Sequence, residues 1–299
     1  MKMRAVSQSV FGGPEVLEMV EVDRPVPGDG EVLVKVRAVG VNPADWRLRS
    51  GQIRYFGEPP FRLGCDVSGV VEATGPGAGK FEVGDEVFGM LLSPAGAYAE
   101  YVVVAQDSLA RKPNGIDHVH AAALPVAALT AWQGLAKLRS GDRVLIHAAA
   151  GGVGHLAVQF ARERGATVIG TARAAKHGFL RDLGADELID YTAEDFTKLE
   201  PVDLVFDLVG GEAAQPSLEL VKSGGVFVDA LGSDQLAGEP GYFRLYCEAN
   251  GDELAKIAEL VESGVVKIHV ERVLPLDEVA EAHRLVETGR TTGKIVLTP

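Results

Sequence analysis

Apolar and polar residues alternate in the first part of the chain, and this alternation predicts β-strands. The clearest run is EVLVKVRAVGV at 31–41, and similar runs occur at 67–73 (VSGVVEA) and 98–104 (YAEYVVV). Glycine and proline clusters such as RPVPGDGE, GPGAG and SPAGA lie between the runs, where they are typical of turns. Roughly the first 115 residues are therefore predicted to form a mostly β domain.

From about residue 118 the pattern changes, because short apolar runs now alternate with segments of helical period. The runs are RVLIHAAA, TVIGTA, LVFDLVG and GVFVDALG. Strands that alternate with helices are typical of βαβ units and a parallel sheet. Near the end, the isolated strand patterns KIHVERVLPL and GKIVLT flank a short helical one. We therefore expect an α/β fold in which 118–262 form a parallel-sheet domain and 263–299 return to the β-rich domain of 1–117.

Three glycines in four positions lie in HAAAGGVGHLAVQFARERG (147–165), after the strand pattern DRVLIHA and before an apolar-periodic run. The sequence Ala149-x-Gly151-x-x-Gly154 matches the dinucleotide fingerprint, with Ala in the first Gly position. Small residues allow backbone N–H groups to approach a pyrophosphate, which then lies at the positive end of the following helix. A glycine-rich turn that serves packing alone is the alternative. The predicted pyrophosphate contacts are Ala150, Gly151, Gly152 and Val153.

The end of the next strand pattern, ATVIGTA, indicates which dinucleotide binds. An NAD site usually carries Asp or Glu there to bind the ribose 2′-hydroxyl, whereas this chain has Arg173 and, one turn later, Lys176. A guanidinium and an ammonium suit a 2′-phosphate, so these residues favour NADPH over NADH. Solvated surface side chains are the alternative for both residues.

Composition and charge narrow the class of protein. The 299 residues carry a formal net charge of −13 that is spread along the chain, which argues against a general affinity for nucleic acid or an anionic membrane. The N-terminal residues lack the apolar core of a signal peptide, and no apolar stretch is long enough to span a bilayer, so a cytoplasmic location is expected. Cys65 and Cys247 are the only cysteines, so no disulfide framework or CxxC metal knuckle is expected.

Eight motifs in fixed order resemble those of the zinc-independent quinone oxidoreductase branch of the medium-chain dehydrogenase/reductase family. The resemblance runs from one end of the chain to the other. It implies a GroES-like β-rich domain, interrupted by a Rossmann domain with a doubly wound parallel sheet, and an active site in the cleft between them. The motifs are GVNPADWRLRSG (40–51), LGCDVSGVVEATGPG (63–77), VGDEVFG (83–89), GAYAEYVVV (96–104), LPVAALTAW (124–132), AAAGGVG (148–154), LGADELIDY (183–191) and GKIVL (293–297).

Zinc-containing members of the family carry a cysteine early in the first domain, a Gly-His-Glu motif and a four-cysteine lobe. This chain has Asn42 in place of the cysteine and Gly64-Cys65-Asp66 in place of the Gly-His-Glu motif, and the four-cysteine lobe is missing. A zinc ion needs several convergent ligands of suitable softness, and the seven histidines are scattered. No metal site is therefore expected.

The resemblance also implies roles for single residues in the β-rich domain. Asn42 and Asp45 match positions beside the nicotinamide, where Asn42 could bind the cofactor or the substrate. Alternatively, Asn42 forms a turn and Asp45 is structural. Many relatives carry Tyr two positions after that Asp, but this chain has Arg47 there. The nearby Tyr55 is the candidate replacement for the missing tyrosine, and its alternative is a cleft-wall or surface aromatic.

Further cofactor contacts are expected in the Rossmann domain. Thr130 matches a threonine that approaches the cofactor, and Tyr191 matches a residue near the adenosine phosphate. Alternatively, the Thr130 hydroxyl bonds to the backbone of its own helix, and Tyr191 is a core residue. Ligands of parallel sheets bind at the carboxyl ends of the strands, which adds four residues to the predicted site. These four are Val209, Gly210, Leu231 and Gly232.

Together, the motifs predict an NADPH-dependent oxidoreductase that transfers hydride to a quinone or an α,β-unsaturated carbonyl without zinc. A conjugated acceptor spreads the developing negative charge and so is easier to reduce without a Lewis acid. An alcohol dehydrogenase is the alternative enzyme. A non-catalytic NADPH-binding redox sensor or structural protein is the alternative from another class. The expected partner is a small electrophilic substrate, and the resemblance also implies a homodimer.

Overall fold

The computed structural model describes residues 1–299 and contains strands and helices throughout. The strands are β1 (Lys2–Ser7), β2 (Glu18–Asp23), β3 (Glu31–Val41), β4 (Asp66–Thr74), β5 (Glu86–Met90), β6 (Tyr101–Ala105), β7 (Leu109–Arg111), β8 (Arg143–Ile146), β9 (Thr167–Thr171), β10 (Glu187–Ile189), β11 (Val202–Asp207), β12 (Val221–Asp229), β13 (Tyr242–Arg244), β14 (Val270–Pro275) and β15 (Lys294–Thr298). The α-helices are α1 (Pro43–Ser50), α2 (His118–Ala122), α3 (Pro125–Gly134), α4 (Gly154–Glu163), α5 (His177–Leu183), α6 (Ala214–Glu219), α7 (Gly251–Glu262) and α8 (Val279–Glu287).

The chain divides into two compact units. The β-rich unit comprises Met1–Val126, Ala249–Ser263 and Ile268–Pro299, and the Rossmann unit comprises Ala127–Glu248 and Gly264–Lys267. The sequence-based division instead assigned the residues of α2 and α7 to the Rossmann domain. Both helices pack within the β-rich unit. Ala122 of α2 lies in an apolar cluster with Ala38 and Val296, and Gly251 of α7 approaches the Leu109 carbonyl so closely that a Cβ would lie 2.2 Å from its oxygen.

The β-rich unit is built on a sheet in the order β14-β15-β3-β4-β5-β7, with β6 also paired to β3. β14 and β15 are parallel, and the other pairs of this sheet are antiparallel. The alternating run at 31–41 is β3, which pairs with β15, β4 and β6. β15 runs antiparallel to β3 with Ile295 opposite Val41. This register brings Lys294, at the start of β15, beside Asn42, which follows β3.

The Rossmann unit is a six-stranded sheet in the order β10-β9-β8-β11-β12-β13, and all five pairs are parallel. The order reverses between β8 and β11, which is the topological switch point where ligands of such sheets bind. Apart from Arg143, Asp203 and Asp207, the residues of the central strands β8 and β11 are apolar and buried, as expected for a sheet covered on both faces. The predicted α/β fold is confirmed. No helix is long and apolar enough to cross a membrane.

Helix α4 packs unusually close to the end of β8. A Cβ on Gly154, the first residue of α4, would lie 2.3 Å from the Ala148 carbonyl oxygen and 2.7 Å from the Ala149 Cα. Both neighbours are backbone atoms that cannot move aside as a side chain can. The absence of a side chain at Gly154 therefore fixes how closely the helix start approaches the strand.

Replacing Gly154 with alanine should force the start of α4 away from β8. Overpacking of this kind typically costs about 1–3 kcal/mol, so we expect Gly154→Ala to lower the free energy of unfolding in urea by that amount. Gly178→Ala in α5 is the matched control, since a Cβ there meets no atom within 4 Å. The control should keep or slightly raise stability, because alanine favours helix over glycine by roughly 0.5–1 kcal/mol. Equal stability of the two variants would contradict the close-packing argument.

Candidate functional site

The glycine-rich loop of the Rossmann unit joins β8 to α4 at the switch point. Ala148 adopts a left-handed conformation, with φ at 47°, and its carbonyl accepts the Gly151 N–H at 2.9 Å. The backbone N–H groups of Ala150, Gly152 and Val153 donate to no acceptor in the protein. Three free N–H groups at the start of a helix form a cradle for an anion, which fits a dinucleotide pyrophosphate.

His147 holds the base of this loop in place, a role that the sequence did not reveal. Its Nδ1 lies 3.1 Å from the Thr171 Oγ1, and its Nε2 lies 2.8 Å from the Ser217 Oγ. The Ser217 hydroxyl donates to the Ala213 carbonyl, so it accepts from the imidazole, which therefore carries its proton on Nε2. Burial lowers the pKa of His147, although the Asp207 carboxylate opposes this effect. The side chain is thus a neutral link from β8 to the end of β9 and to α6.

Two buried aspartates shape the turns that follow β11 and β12. Asp207 Oδ1 accepts the N–H groups of Val209 and Gly210 at 2.9 and 3.0 Å. The same pattern occurs on the neighbouring strand, where Asp229 Oδ1 accepts the N–H groups of Leu231 and Gly232 at 2.7 and 2.8 Å. Asp207 and Asp229 lie opposite each other in the sheet register. All four residues predicted at these turns therefore lie at one edge of the sheet, the carboxyl edge.

The repeated spacing Asp-x-x-Gly in FDLVG and VDALG would have identified these aspartates from the sequence. In both turns the glycine has a positive φ, 69° at Gly210 and 80° at Gly232, which other residues rarely adopt. In each turn the aspartate accepts the backbone N–H groups, and the glycine adopts the positive φ that the turn requires.

The cationic end of β9 lies beside the end of β10. Arg173 Nε donates to the Tyr191 hydroxyl at 3.1 Å, and both side chains are exposed. Arg173 forms no salt bridge with a carboxylate, and its side chain is exposed. Lys176 follows in the next turn and is partly buried. Thr130 is buried on α3. The structure therefore brings together Arg173 and Tyr191, which the sequence predicted separately.

A cluster of polar side chains is buried in the β-rich unit around Asn42. The Asn42 amide donates from Nδ2 to Asp66 Oδ2 at 2.8 Å, and its Oδ1 accepts from the Lys294 ammonium. Lys294 Nζ also donates to Asp66 Oδ2 at 3.2 Å and to the Val41 carbonyl at 3.1 Å. Asp66 Oδ1 accepts the Val126 N–H at 2.7 Å. The sequence predicted Asn42 but not its two charged partners.

Asp45 lies next to this cluster and fixes the start of α1. Its carboxylate accepts the Asn42 N–H at 2.8 Å and the Gly64 N–H at 3.1 Å, and the Cys65 thiol lies 3.8 Å away. Complete burial raises the pKa of Asp45 to about 6, and repulsion from Asp66 adds to this effect. The two N–H donors and the Lys294 ammonium lower the pKa, but they do not overcome the burial. Asp45 is thus held by hydrogen bonds to the residue before α1 and to Gly64, and its pKa lies above that of an ordinary aspartate.

Tyr55 lies apart from this buried cluster. Its side chain is 70% exposed, and its ring packs edge-on against Phe56 with the centroids 5.5 Å apart. Arg47 is partly buried, with its guanidinium 5.5 Å from the Trp46 ring, and burial lowers its pKa. The structure therefore brings Asn42 and Asp45 together and leaves Tyr55 outside their hydrogen bonds.

Comparison with known families identifies both parts of the chain. Residues 28–114 match the alcohol dehydrogenase GroES-like domain, and residues 183–297 match a family described as zinc-binding dehydrogenase. In the structure, however, no group of three or more His, Cys, Asp or Glu side chains is placed to hold a metal ion.

The similar proteins include reductases of quinones and enones. The chain is 37% identical to the NADPH-dependent alkenal/one oxidoreductase of Arabidopsis thaliana, over 100% of this chain and 80% of that protein. The quinone oxidoreductase structure from Coxiella burnetii is 37% identical, covers 100% of both chains and has a TM-score of 0.95. The Escherichia coli quinone oxidoreductase complexed with NADPH is 29% identical, with coverage of 99% and 100% and a TM-score of 0.89.

The raised pKa of Asp45 makes a prediction about pH and stability. The folded pKa of about 6 exceeds the ordinary 3.8, so the stabilising contribution of protonation is complete below pH 4 and is lost as the pH rises through 6. Relative to Asp45→Asn, which cannot ionise, the wild type should lose roughly 2–3 kcal/mol of unfolding free energy between pH 4 and 7. Denaturant unfolding across this range measures the difference. Asp29→Asn, at an exposed position, is the control and should run parallel to the wild type. A parallel course for Asp45→Asn would contradict the assignment.

Proposed function

Because the chain belongs to the quinone oxidoreductase branch of the medium-chain dehydrogenase/reductase superfamily, we propose that it transfers hydride from NADPH to a quinone or an α,β-unsaturated carbonyl. The observation that carries this proposal is the carboxyl edge of the Rossmann sheet. There, the free backbone N–H groups before α4 offer a site for the pyrophosphate, and Arg173 after β9, which forms no salt bridge, offers a site for the 2′-phosphate.

The residues present fit NADPH. The loop Ala150–Val153 would hold the pyrophosphate, and Arg173 with Lys176 would hold the 2′-phosphate, with Tyr191 fixing the guanidinium. The turns at Val209–Gly210 and Leu231–Gly232 and the hydroxyl of Thr130 would complete the cofactor site. When bound, NADPH supplies the hydride, so the protein has to orient the acceptor and exclude water.

On the acceptor side, we assign the polar contact to Asn42. Hydride addition to the β carbon of an enone, or to a quinone ring, places negative charge on a carbonyl oxygen, which an amide N–H stabilises by hydrogen bonding. Asn42 cannot supply a proton, and Asp45 is fully buried with both carboxylate oxygens engaged by backbone N–H groups, so the balancing proton comes largely from water. Tyr55 would then contribute a wall of the acceptor site. The reaction proposed here requires no metal ion.

We also propose that the protein is a cytoplasmic homodimer. β13 pairs with only one neighbour, β12, so its other edge carries unpaired backbone groups, and Phe243 on this strand is 41% exposed. A second copy that adds its own β13 would pair these groups and cover the ring, which is a symmetric way to remove an exposed edge.

The cofactor assignment predicts the effect of removing the unpaired guanidinium. Arg173→Ala should weaken NADPH binding by roughly 1.5–3 kcal/mol, because one charge-assisted contact to the 2′-phosphate is lost. NADH binding should change little, since NADH lacks this phosphate. Arg181→Ala, an exposed arginine on α5, is the matched control and should leave both affinities unchanged. Calorimetric titration with each nucleotide measures the effect, and equal losses for NADPH and NADH would contradict the assignment.

The mechanism predicts where hydride and proton arrive. With NADPH deuterated at the transferred position, in ordinary water and without oxygen, the deuterium should appear at the β carbon of the reduced enone and a solvent proton at the α carbon. A positioned general acid is typically worth about 10²–10⁴-fold in rate. Tyr55→Phe should therefore lose less than about tenfold in kcat, whereas Asn42→Ala should lose more.

Three results would contradict this mechanism in different ways. Deuterium at a carbinol carbon would indicate carbonyl reduction, as in an alcohol dehydrogenase. A hundredfold loss in Tyr55→Phe would identify that hydroxyl as the acid. NADPH binding without turnover across quinones, enones and aldehydes would indicate a sensor or a structural protein.

A further inference from the structure

Lys294 is a buried cation that the proposed reaction does not yet use. It is the first residue of β15, only 3% of its surface is exposed, and its ammonium contacts three acceptors. These are the Val41 carbonyl, Asn42 Oδ1 and Asp66 Oδ2. An ammonium has three protons, so every one of them has a partner.

The two charged neighbours of Asn42 determine which way its amide points. The Lys294 ammonium only donates hydrogen bonds, and the ionised Asp66 carboxylate only accepts them. A flipped amide would place its NH₂ group against the ammonium and its oxygen against the carboxylate, and both contacts would be repulsive. Asn42 therefore has one orientation, with one N–H and one Oδ1 lone pair not used by Lys294 or Asp66.

Asp66 is also held in a fixed position by its neighbours. The Val126 N–H fixes Asp66 Oδ1, and the carboxylate lies over Gly40 of β3. A Cβ at position 40 would lie 2.4 Å from Asp66 Oδ2 and 2.5 Å from the Ala122 carbonyl oxygen. The absence of a side chain at Gly40 is therefore a condition for this arrangement.

We propose that Lys294 is a positioning residue that, with Asp66, locks the Asn42 amide so that its free N–H is available to the carbonyl oxygen of the acceptor. The inference rests on the proposed reductase function and adds to it the residue that orients the polar contact. The Lys294 ammonium also places a positive charge next to the Asn42 amide that makes this contact.

A double-mutant cycle separates this role from a purely structural one. If Lys294 acts through Asn42, Lys294→Met should lower kcat about 10–100-fold in the wild type and less than threefold in Asn42→Ala. Lys294→Arg, which keeps the donor and the charge, should recover part of the loss. The KM for NADPH should stay within threefold in every variant. The measurement is anaerobic NADPH oxidation with 1,4-benzoquinone and with 3-buten-2-one, together with the melting temperature of each variant.

The outcomes distinguish the inference from the proposed function. Losses from Lys294→Met and Asn42→Ala that multiply, or a Lys294→Met rate within twofold of the wild type, would overturn the positioning role while the reductase stands. Absence of turnover in the wild type with every acceptor would overturn both. If Lys294→Met does not fold, Asp66→Asn takes its place in the same cycle. An Asn at position 66 both donates and accepts, so it no longer fixes the orientation of the Asn42 amide.

Discussion

The buried contact between Lys294 and Asp66 joins parts of the β-rich unit that are far apart in the sequence. It ties the last strand to the end of β3 and to the start of β4, and Asn42 bridges the two charges. Burying such a pair is costly, and the cost is offset only where further hydrogen bonds satisfy the remaining groups. Here the Val41 carbonyl and the Val126 N–H do so. Removal of one partner from a buried pair typically costs about 3–5 kcal/mol, so loss of Lys294 or Asp66 should destabilise the unit that carries Asn42.

The candidate site of the Rossmann unit differs from the buried cluster around Asn42, because it requires backbone N–H groups that have no partner within the protein. Asp207 and Asp229 take up the N–H groups of two turns, and neutral His147 supports the third loop without adding charge. The N–H groups at the start of α4 then stay available for an anion. Buried side chains at the carboxyl edge thus accept the N–H groups of the neighbouring turns and fix the conformation of those turns. The N–H groups of the loop between β8 and α4 stay free for a ligand.

The sequence predicted those features whose signal is local. The alternation at 31–41 coincides with β3, and the fingerprint lies between a strand and a helix as expected. His147 and Lys294 were missed because their partners are remote. Lys294 is separated from Asn42 by 252 residues, and only the register of β15 against β3 brings them together. The unit boundaries were displaced for a similar reason, since helical period does not indicate which sheet a helix packs against.

Two cations of the chain show why residue type alone does not reveal a role. Lys294 is buried and all three of its protons have acceptors within the protein, so it has no capacity left for a ligand. Arg173 is exposed, a tyrosine hydroxyl fixes only its Nε, and no carboxylate neutralises it. An arginine held in place but left without an anion is suited to receive one from outside. In the sequence both are single basic residues at or near the end of a strand. The number of donors without a partner distinguishes Lys294, which acts within the protein, from Arg173, which is available to a phosphate.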